Sequence, residues 1–336
     1  MQGVIQMITI SSVWERAHRP RLPVLVVSDF LESRVLAFDV GGSHVAAAVC
    51  STADFSLGPV ASAPHATVST SDDFLDLLHS LGMKARIGRE RVIGTMLAVP
   101  GPFDLQAGVS LMRHKLPYLY GVDLRLGLAE RFQFVPAQVR FLNDADAYLL
   151  GEIGAGAARS FSRAVGLTLG TGIGSAFAVN GDLVTEGPGV PSGGEIWNLP
   201  YQGGIVEDFI SSRAIVGNYE RCTGKKREVV DLADTAQSDP AAQQAFSEFG
   251  HHLGAVIRTL LAEFNADVIV LGGGISRSAN LFLPTVQAEI GDSTIELRVS
   301  ELKDTAALVG CGVAAFRTAT GSPDPGKSAS TQNAAV

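Results

Sequence analysis

The sequence predicts a mixed α/β protein that is built from two similar halves. Apolar runs typical of buried strands alternate along the chain with segments of helical periodicity, which is the pattern of an α/β architecture. Residues 42–49 and 174–179 also resemble each other, and each stretch follows an apolar strand. The chain has 336 residues, enough for two domains of about 150 residues. We therefore expect two copies of a strand–turn–strand unit with a cleft between them.

The N-terminal half begins with a strand pair. Residues 35–40 and 44–50 are apolar runs on either side of Gly41-Gly42, and they predict two strands joined by a tight turn. Ser71 or Asp72 is expected to cap the helix that comes next. The later elements of this half are a helix over 71–81, a strand over 91–99 that ends at Pro100-Gly101-Pro102, a helix over 123–132 and a strand over 139–142.

The C-terminal half repeats the pattern. A helix is predicted to begin at Asn143 or Asp144, and a second strand pair, 165–169 and 175–179, flanks the glycine turn 170–174. A strand over 268–271 ends in Gly272-Gly273-Gly274. The longest helix is expected over 240–264, because apolar residues recur there at steps of three and four and form one stripe. The stripe consists of Phe246, Phe249, Leu253, Val256, Ile257, Leu260 and Phe264.

The composition excludes several classes of function. Lys and Arg number 26 against 34 Asp and Glu, so the net charge is −8, and an acidic chain is poorly suited to nucleic acid or to an anionic membrane. No apolar stretch approaches the ~18 residues of a spanning helix. Cys50, Cys222 and Cys311 are too few for a disulfide framework or a cysteine-only zinc site. They fit a reducing cytoplasm, where we expect the protein to reside.

The two ends of the chain differ in composition from the rest. Residues 1–34 contain only a short apolar run and are expected to form a loose extension. Residues 319–336 are rich in Ser, Pro, Gly, Ala and Thr, which is typical of a disordered tail.

Glycine turns are the most informative local feature. Glycine accounts for 37 of the 336 residues, and turns that bind phosphate use it to expose backbone N–H groups. The turns at 41–44 and 170–174 lack the lysine of a P-loop, and each leads into a strand, whereas the P-loop and the dinucleotide fingerprint lead into a helix. Either turn alone is equally consistent with an ordinary hairpin. Together with Gly272-Gly273-Gly274 they predict phosphate or nucleotide binding.

Five motifs in order resemble those of the ROK family (repressors, open reading frames and kinases) within the actin-like sugar kinase superfamily. The resemblance spans residues 35–317 and implies two actin-like (ribonuclease H-like) domains, with residues 35–143 as the first and 144–318 as the nucleotide-binding second. It also implies ATP and Mg²⁺ as cofactors, a hexose in the cleft and a homodimer. The motifs are Asp39-Val-Gly-Gly-Ser43, Asn143-Asp144-Ala-Asp146, Leu169-Gly-Thr-Gly-Ile-Gly174, Gly194-Glu195 and Leu271-Gly-Gly-Gly-Ile275.

The resemblance implies a general base, Asp144, and a sugar-binding Asn143. A carboxylate that accepts the proton of the sugar hydroxyl suits phosphoryl transfer through a loose transition state. The helix dipole is expected to favour the charged form of Asp144 and keep its pKa low. Without the resemblance, this pair would be read as a helix cap. Asp146 stands where many members have Asn, and no role is assigned to it.

The resemblance places the nucleotide on the glycine turns. Asp39 is expected to hold Mg²⁺ through water, since this ion retains much of its hydration shell, although a turn carboxylate that binds nearby N–H groups is a close alternative. The expected contacts of the phosphates and the nucleotide are Gly41, Gly42, Ser43, Gly170, Thr171, Gly172, Gly272, Gly273 and Gly274.

Glu195 and Glu207 match sugar-binding glutamates of the family, and Gly101 lies in a loop that resembles the one lining the sugar pocket. The family commonly reads Gly-Glu-x-Gly-His, followed by a cysteine cluster that binds zinc. Here Ile196-Trp197-Asn198 follows the glutamate, and no cysteine lies between residues 50 and 222. We therefore expect no structural zinc site, with Asn198 in place of the histidine as a hydrogen-bond donor to sugar.

Two further residues leave the choice of sugar open. Trp197 either stacks on a sugar face or packs in the core, and core packing is the safer interpretation. Lys115 falls near the position where relatives often have a sugar-binding Asn. The sugar that those relatives bind is therefore no guide to the substrate of this protein.

The function that we predict is an ATP-dependent hexokinase acting on the 6-hydroxyl of glucose. N-acetylmannosamine or N-acetylglucosamine kinase, fructokinase and polyphosphate-dependent glucokinase are alternatives. A sugar-sensing repressor is less favoured, because the 34 residues before Val35 are too few for a winged-helix module. A non-catalytic sugar-binding protein is a third alternative.

Overall fold

The computed structural model describes residues 33–86, 91–113 and 115–320. Its N-terminal half holds a five-stranded sheet in the order β3-β2-β1-β4-β7. β1 is antiparallel to β2 and parallel to β4, which is in turn parallel to β7. The strands are β1 (Arg34–Val40), β2 (His44–Ser51), β3 (Ala61–Pro64), β4 (Val92–Val99) and β7 (Val139–Asn143), with the small hairpin β5 (Phe103–Asp104) and β6 (Val109–Ser110) beside them.

The C-terminal half holds a second five-stranded sheet in the order β10-β9-β8-β13-β14. β8 is antiparallel to β9 and parallel to β13, so the strand order and directions of the first sheet are repeated. The similarity between residues 42–49 and 174–179 therefore reflects two equivalent hairpins, as predicted. The strands are β8 (Arg163–Leu169), β9 (Ile173–Val179), β10 (Asp182–Leu183), β13 (Val268–Gly272) and β14 (Glu296–Val299), with a hairpin of β11 (Pro200–Tyr201) and β12 (Gly204–Ile205).

The two helices that pack on the first sheet from its own half are α1 (Ser71–Ala85) and α2 (Leu124–Phe132). The predicted cap of α1 at Ser71 or Asp72 is wrong by one residue. Thr70 caps the helix, because its Oγ1 accepts a hydrogen bond from Asp73 N–H at 3.1 Å. Apolar side chains of both helices, Leu78 and Leu128 among them, are fully buried with Phe38 of β1.

The long helix of the second half ends earlier than predicted. This helix, α7 (Pro240–Leu260), stops at Leu260, and residues 262–264 form a separate 3₁₀ turn that ends at Asn265, whose φ is 57°. Phe264 is still buried, as the apolar stripe requires. The spacing of the stripe is therefore compatible with one long helix and also with a helix followed by a 3₁₀ turn. The remaining helices of this half are α4 (Val206–Phe209), α5 (Ser212–Thr223), α6 (Val229–Thr235), α7 (Pro240–Leu260) and α8 (Ala279–Ile290).

Two helices cross between the sheets. α3 (Asp144–Ala155) packs on β8 and β9, whereas α9 (Ala306–Ala319) packs on β1, β2 and β4. The crossing is close because it occurs at glycines: a Cβ on Gly310 would lie 1.7 Å from Ala147 O, and one on Gly151 would lie 2.0 Å from Ala306 O. The last helix thus follows the second sheet in sequence but packs on the first. The division at residues 143 and 144 stays a prediction.

The predicted extension 1–34 and tail 319–336 lie almost wholly outside the described residues. Across the ranges that are described, none of the helices combines the length and the apolar character needed to cross a membrane.

Candidate active site

The parallel strands of the first sheet bring several predicted site residues to one edge. Asp39 of β1 is in register with Ala98 of β4, and Val99 of β4 is in register with Asn143 at the end of β7. The carboxyl ends of parallel strands are the usual position of ligands in α/β proteins. Asp39, the Gly101 loop and the start of α3 consequently lie at the same edge.

The second sheet has an equivalent edge. β8 runs into the turn at 170–174 and β13 runs into Gly272, which is in register with Thr168 of β8. A Cβ on Gly174 would lie 3.3 Å from the Cβ of Ala145, in the first turn of α3. The second glycine turn therefore touches the helix that carries Asp144.

The glycines of the three turns fall into two groups. Gly42, Gly170 and Gly274 face open space, since a Cβ at any of them would meet no described atom within 4 Å. An anion can approach the backbone at such positions without obstruction by a side chain, although Gly170 N–H itself donates to Gly172 O at 2.9 Å. Gly273 instead packs tightly, with φ of 79° and a would-be Cβ only 2.4 Å from Leu169 O, so glycine is required there for close packing of the strand ends.

The first glycine turn is held by a residue that sequence analysis missed. His65, which is buried at the end of β3, donates a hydrogen bond from Nε2 to Gly41 O at 2.9 Å. Gly41 N–H donates to His44 O at 2.9 Å, and Ser43 Oγ lies 3.0 Å from His44 Nδ1. Because a carbonyl oxygen only accepts, His65 carries its proton on Nε2. No local motif marks this histidine.

Asn143 and Asp144 form the start of α3, as predicted. Asn143 is the N-cap, and its Oδ1 accepts from Ala145 N–H at 2.9 Å and from Asp146 N–H at 3.4 Å. The Oδ1 of Asp144 also accepts from Ala145 N–H, at 2.9 Å. Capping thus occupies the oxygen of Asn143, and its amide nitrogen is the group left for a ligand.

The expectation of a low pKa for Asp144 is wrong. Burial raises the pKa of Asp144 above its usual range, and the charge of Glu195 adds to this. The ammonium group of Lys115 is the largest opposing effect, followed by the hydrogen bonds at the helix start. Desolvation therefore outweighs the helix dipole, and the carboxylate is a stronger base than the sequence suggested.

Asp39 and Asp146 lie in the same electrostatic environment. Burial and the charge of Asp144 raise the pKa of each carboxyl to about 7, with a further contribution from Asp304 for Asp39 and from Glu195 for Asp146. The charges of these carboxylates are thus coupled around Asp144, and Asp304 joins them through Asp39. The sequence motif that contains Asp146 did not indicate that this carboxyl would interact electrostatically with Asp144 and Glu195.

The raised pKa of Asp146 predicts that the stability of the fold depends on pH. Between about pH 4 and pH 7 the folded protein keeps a proton on Asp146 that the unfolded chain has released, so this group makes the free energy of unfolding fall as pH rises. Asp146→Asn removes the contribution. In urea unfolding at pH 5 and pH 8, the variant should gain stability relative to the wild type at the higher pH. A difference between the two proteins that is the same at both pH values would contradict the raised pKa.

Glu195 is held in position close to this cluster. Ser175 Oγ donates to Gly194 O at 2.6 Å and accepts from Ile196 N–H at 3.1 Å, so β9 anchors the residues on both sides. Trp197 Nε1 donates to Glu195 Oε2 at 3.0 Å, and the residue is 39% exposed. The expectation that Trp197 packs in the core is therefore wrong. Asn198 is exposed on the same turn.

Glu207 has a different environment from that of Glu195. Its Oε2 accepts from Ile173 N–H at 3.3 Å and would lie 2.1 Å from a Cβ on Gly172, while Oε1 pairs with Arg213 Nη2 at 3.2 Å. These contacts place it against the second glycine turn. Its sugar-binding role stays a prediction.

A cavity of about 260 Å³ opens beside the second glycine turn. The two are joined by a hydrogen bond from Ser212 N–H to Gly170 O at 2.8 Å. Polar and charged side chains predominate in its lining, which consists of Ser212, Arg213, Val216, Gly217, Glu220, Lys226 and Glu228.

None of the three cysteines forms a disulfide. Cys50 and Cys311 are buried, Cys222 is exposed, and all three are free thiols. Among the residues that the structure describes, no three His, Cys, Asp or Glu side chains are grouped as metal ligands.

Comparison with known proteins identifies relatives of the whole folded region. A sequence model of the ROK family matches residues 35–313. The N-acetyl-D-glucosamine kinase of Pectobacterium carotovorum subsp. carotovorum (strain PC1) is 29% identical over 276 residues, which are 74% of this chain and 86% of that protein.

Solved structures show the same fold. The ROK hexokinase from Thermus thermophilus matches with a TM-score of 0.71 at 25% identity, over 85% of this chain and 99% of that one. A ROK family glucokinase from Streptomyces griseus, solved with glucose and AMPPNP, matches with a TM-score of 0.70 at 22% identity, over 83% and 98% of the two chains. The predicted fold of two actin-like domains with a cleft between them is confirmed.

Proposed function

Because this chain belongs to the ROK family, we propose that it is a sugar kinase that transfers the γ-phosphoryl group of ATP to a hexose. Glucose, phosphorylated on its 6-hydroxyl, is the leading acceptor. The observation that carries the proposal is the position of Asp144. This carboxylate lies at the start of α3, a helix that touches both the strand edge with Asp39 and the glycine turn at 170–174.

In the proposed reaction Asp144 accepts the proton of the attacking hydroxyl. Its raised pKa brings its basicity closer to neutral pH than that of an ordinary aspartate, which favours general base catalysis. The hydrogen bond from Ala145 N–H to Asp144 Oδ1 fixes the carboxylate and leaves Oδ2 for the substrate. Phosphoryl transfer otherwise requires positioning and charge stabilisation, which the glycine turns supply.

The nucleotide is proposed to lie along the C-terminal half. No side chain obstructs the approach of the phosphates to Gly170 and Gly274, and the cavity next to Ser212 has room for the nucleoside end of the donor. The AMPPNP bound by the Streptomyces griseus glucokinase supports ATP as the donor.

Magnesium fits the carboxylates around Asp39. This side chain is half-buried and faces the like charges of Asp144 and Asp304, and a divalent cation would offset their repulsion. Oxygen donors with retained waters are what Mg²⁺ prefers. When bound, the ion would neutralise charge on the transferred phosphoryl group.

The sugar is proposed to bind between Gly101, Asn143, Glu195 and Asn198. Carboxylates and amides that grip hydroxyls discriminate sugars well, since an analogue that lacks a hydroxyl leaves a buried group unpaired. The names of the relatives indicate different sugars: one is an N-acetyl-D-glucosamine kinase and another is a glucokinase. N-acetylhexosamines and fructose therefore remain alternative acceptors.

A substrate panel tests the proposal. Purified protein with Mg-ATP should release ADP in the presence of glucose or another hexose from a panel that includes N-acetylglucosamine, N-acetylmannosamine and fructose. Polyphosphate in place of ATP tests the alternative donor. No ADP release and no polyphosphate consumption with any sugar would overturn the proposed activity.

A cytoplasmic homodimer is also proposed. The three free cysteines fit a reducing compartment, while the dimer rests on the resemblance to the family. Light scattering at assay concentration should give about twice the chain mass of 35.2 kDa.

A further inference from the structure

The third glycine turn is followed by a positively charged residue, Arg277, which has no role in the proposed function. Arg277 lies in the 3₁₀ segment Gly274–Ser278, directly after the open position at Gly274. Both the N–H and the Oγ of Ser276 donate to Gly273 O, at 3.1 and 2.7 Å. These bonds fix the backbone of Arg277 relative to the glycine turn.

The guanidinium of Arg277 is paired with the carboxylate of Asp304. Asp304 belongs to the 3₁₀ turn Lys303–Thr305, which leads into α9. This turn is itself fixed, because the buried carboxylate of Glu152 accepts from Leu302 N–H at 3.3 Å and Ser300 Oγ accepts from Lys303 N–H at 2.7 Å.

The ion pair lies just before α9, the helix that packs on β1. α9 lies along this strand, where Cys311 Sγ is 3.6 Å from Phe38 O. The charge of Asp304 contributes to the raised pKa of Asp39, so the two carboxylates are close enough to interact. The ion pair thus links the segment after the third glycine turn to a carboxylate whose charge acts on Asp39.

The charges of the cleft call for a cation at this position. Four carboxylates, Asp39, Asp144, Asp146 and Asp304, repel a polyphosphate. The ammonium group of Lys115 acts on Asp144, but none of the three glycine turns contains Lys or Arg. Arg213, near the second turn, is paired with Glu207. Arg277 is the cation that follows directly on the third turn.

The pair with Asp304 is readily exchanged. The two side chains are 65% and 73% exposed, and ion pairs this exposed contribute little to stability. A phosphate group offers arginine a bidentate, doubly charged partner that binds it more strongly than a solvated carboxylate does. Exchange of Asp304 for phosphate is therefore favoured once the donor is present.

We propose that Arg277 binds the β- and γ-phosphates of the donor, and that Asp304 holds its guanidinium at the phosphate site until the donor arrives. The inference rests on the proposed kinase function. It adds a phosphate-binding residue outside the glycine turns and a carboxylate that competes with the donor for it.

Calorimetric titration with Mg-AMPPNP and with AMP tests this on the full chain. Arg277→Gln should raise the Kd for AMPPNP about tenfold or more, while the Kd for AMP, which lacks the β- and γ-phosphates, stays within about twofold. Asp304→Asn should bind AMPPNP as tightly as the wild type or more tightly, since it frees Arg277. Arg258→Gln is the control, because Arg258 is also an exposed arginine that pairs with a carboxylate, that of Glu289 on α8.

Two results would overturn the inference. One is an AMPPNP affinity of Arg277→Gln within twofold of the wild type. The other is a loss of affinity in Asp304→Asn as large as that in Arg277→Gln, which would mean that the pair acts by supporting the turn. Thermal unfolding of each variant shows whether the fold is retained, and Arg277→Lys should give intermediate affinity.

The outcome is separable from that of the proposed function. A wild-type protein that phosphorylates a hexose, with Arg277→Gln at unchanged AMPPNP affinity, overturns this inference alone. A wild-type protein that binds AMPPNP with the expected dependence on Arg277 but turns over no sugar overturns the proposed kinase activity alone.

Discussion

Replacing Asp144 by Asn is expected to lower kcat by about 10²–10⁴-fold and to leave sugar binding nearly unchanged. Asn is isosteric and keeps an oxygen that accepts from Ala145 N–H, as Asp144 Oδ1 does at 2.9 Å. It cannot accept the proton of the sugar hydroxyl. The substitution therefore removes the base while preserving the start of α3.

Sugar binding by this variant can be followed separately from turnover. Trp197 is partly exposed and hydrogen-bonded to Glu195, so its fluorescence should respond when a sugar binds to that carboxylate. Thermal stability should be equal to or greater than that of the wild type, because the neutral side chain no longer repels Asp39 and Asp146. Undiminished kcat would refute the assignment of Asp144 as the base.

Replacing Gly310 by Ala is expected to lower the free energy of unfolding by about 1–3 kcal/mol or more. The new Cβ would lie 1.7 Å from Ala147 O and 2.6 Å from its carbonyl carbon. Backbone atoms cannot rotate away as a side chain can, so α3 and α9 must move apart. Both helices connect the two sheets, and α3 carries Asp144 at its start, so turnover should fall as well.

Gly217→Ala is the matched control. This glycine also lies inside a helix, α5, but a Cβ there would meet nothing within 4 Å. The control should gain about 0.4–1 kcal/mol, since alanine reduces the freedom of the unfolded chain. Urea unfolding of the two variants makes the comparison, and equal stabilities for both would show that the helix crossing tolerates a side chain.

The local pattern of apolar residues and glycines was sufficient to predict most of the strands and helices. The strands around Gly41-Gly42 and around residues 170–174 were predicted to within two residues, because an apolar run broken by glycine has few other solutions. The cap of α1 and the end of α7 were wrong, since each depends on which of several adjacent residues makes one hydrogen bond.

The sequence by itself determined the mixed α/β architecture, its two similar halves, the three glycine turns and the place of Asp144 at a helix start. These features depend on residues near one another in the chain, so periodicity and turn chemistry reveal them. The tertiary structure alone decided that α9 returns to the first sheet, that His65 holds the first glycine turn and that Asp304 pairs with Arg277. It also reversed the expected pKa of Asp144, because burial and distant charges are set by the packing of residues that are far apart in sequence.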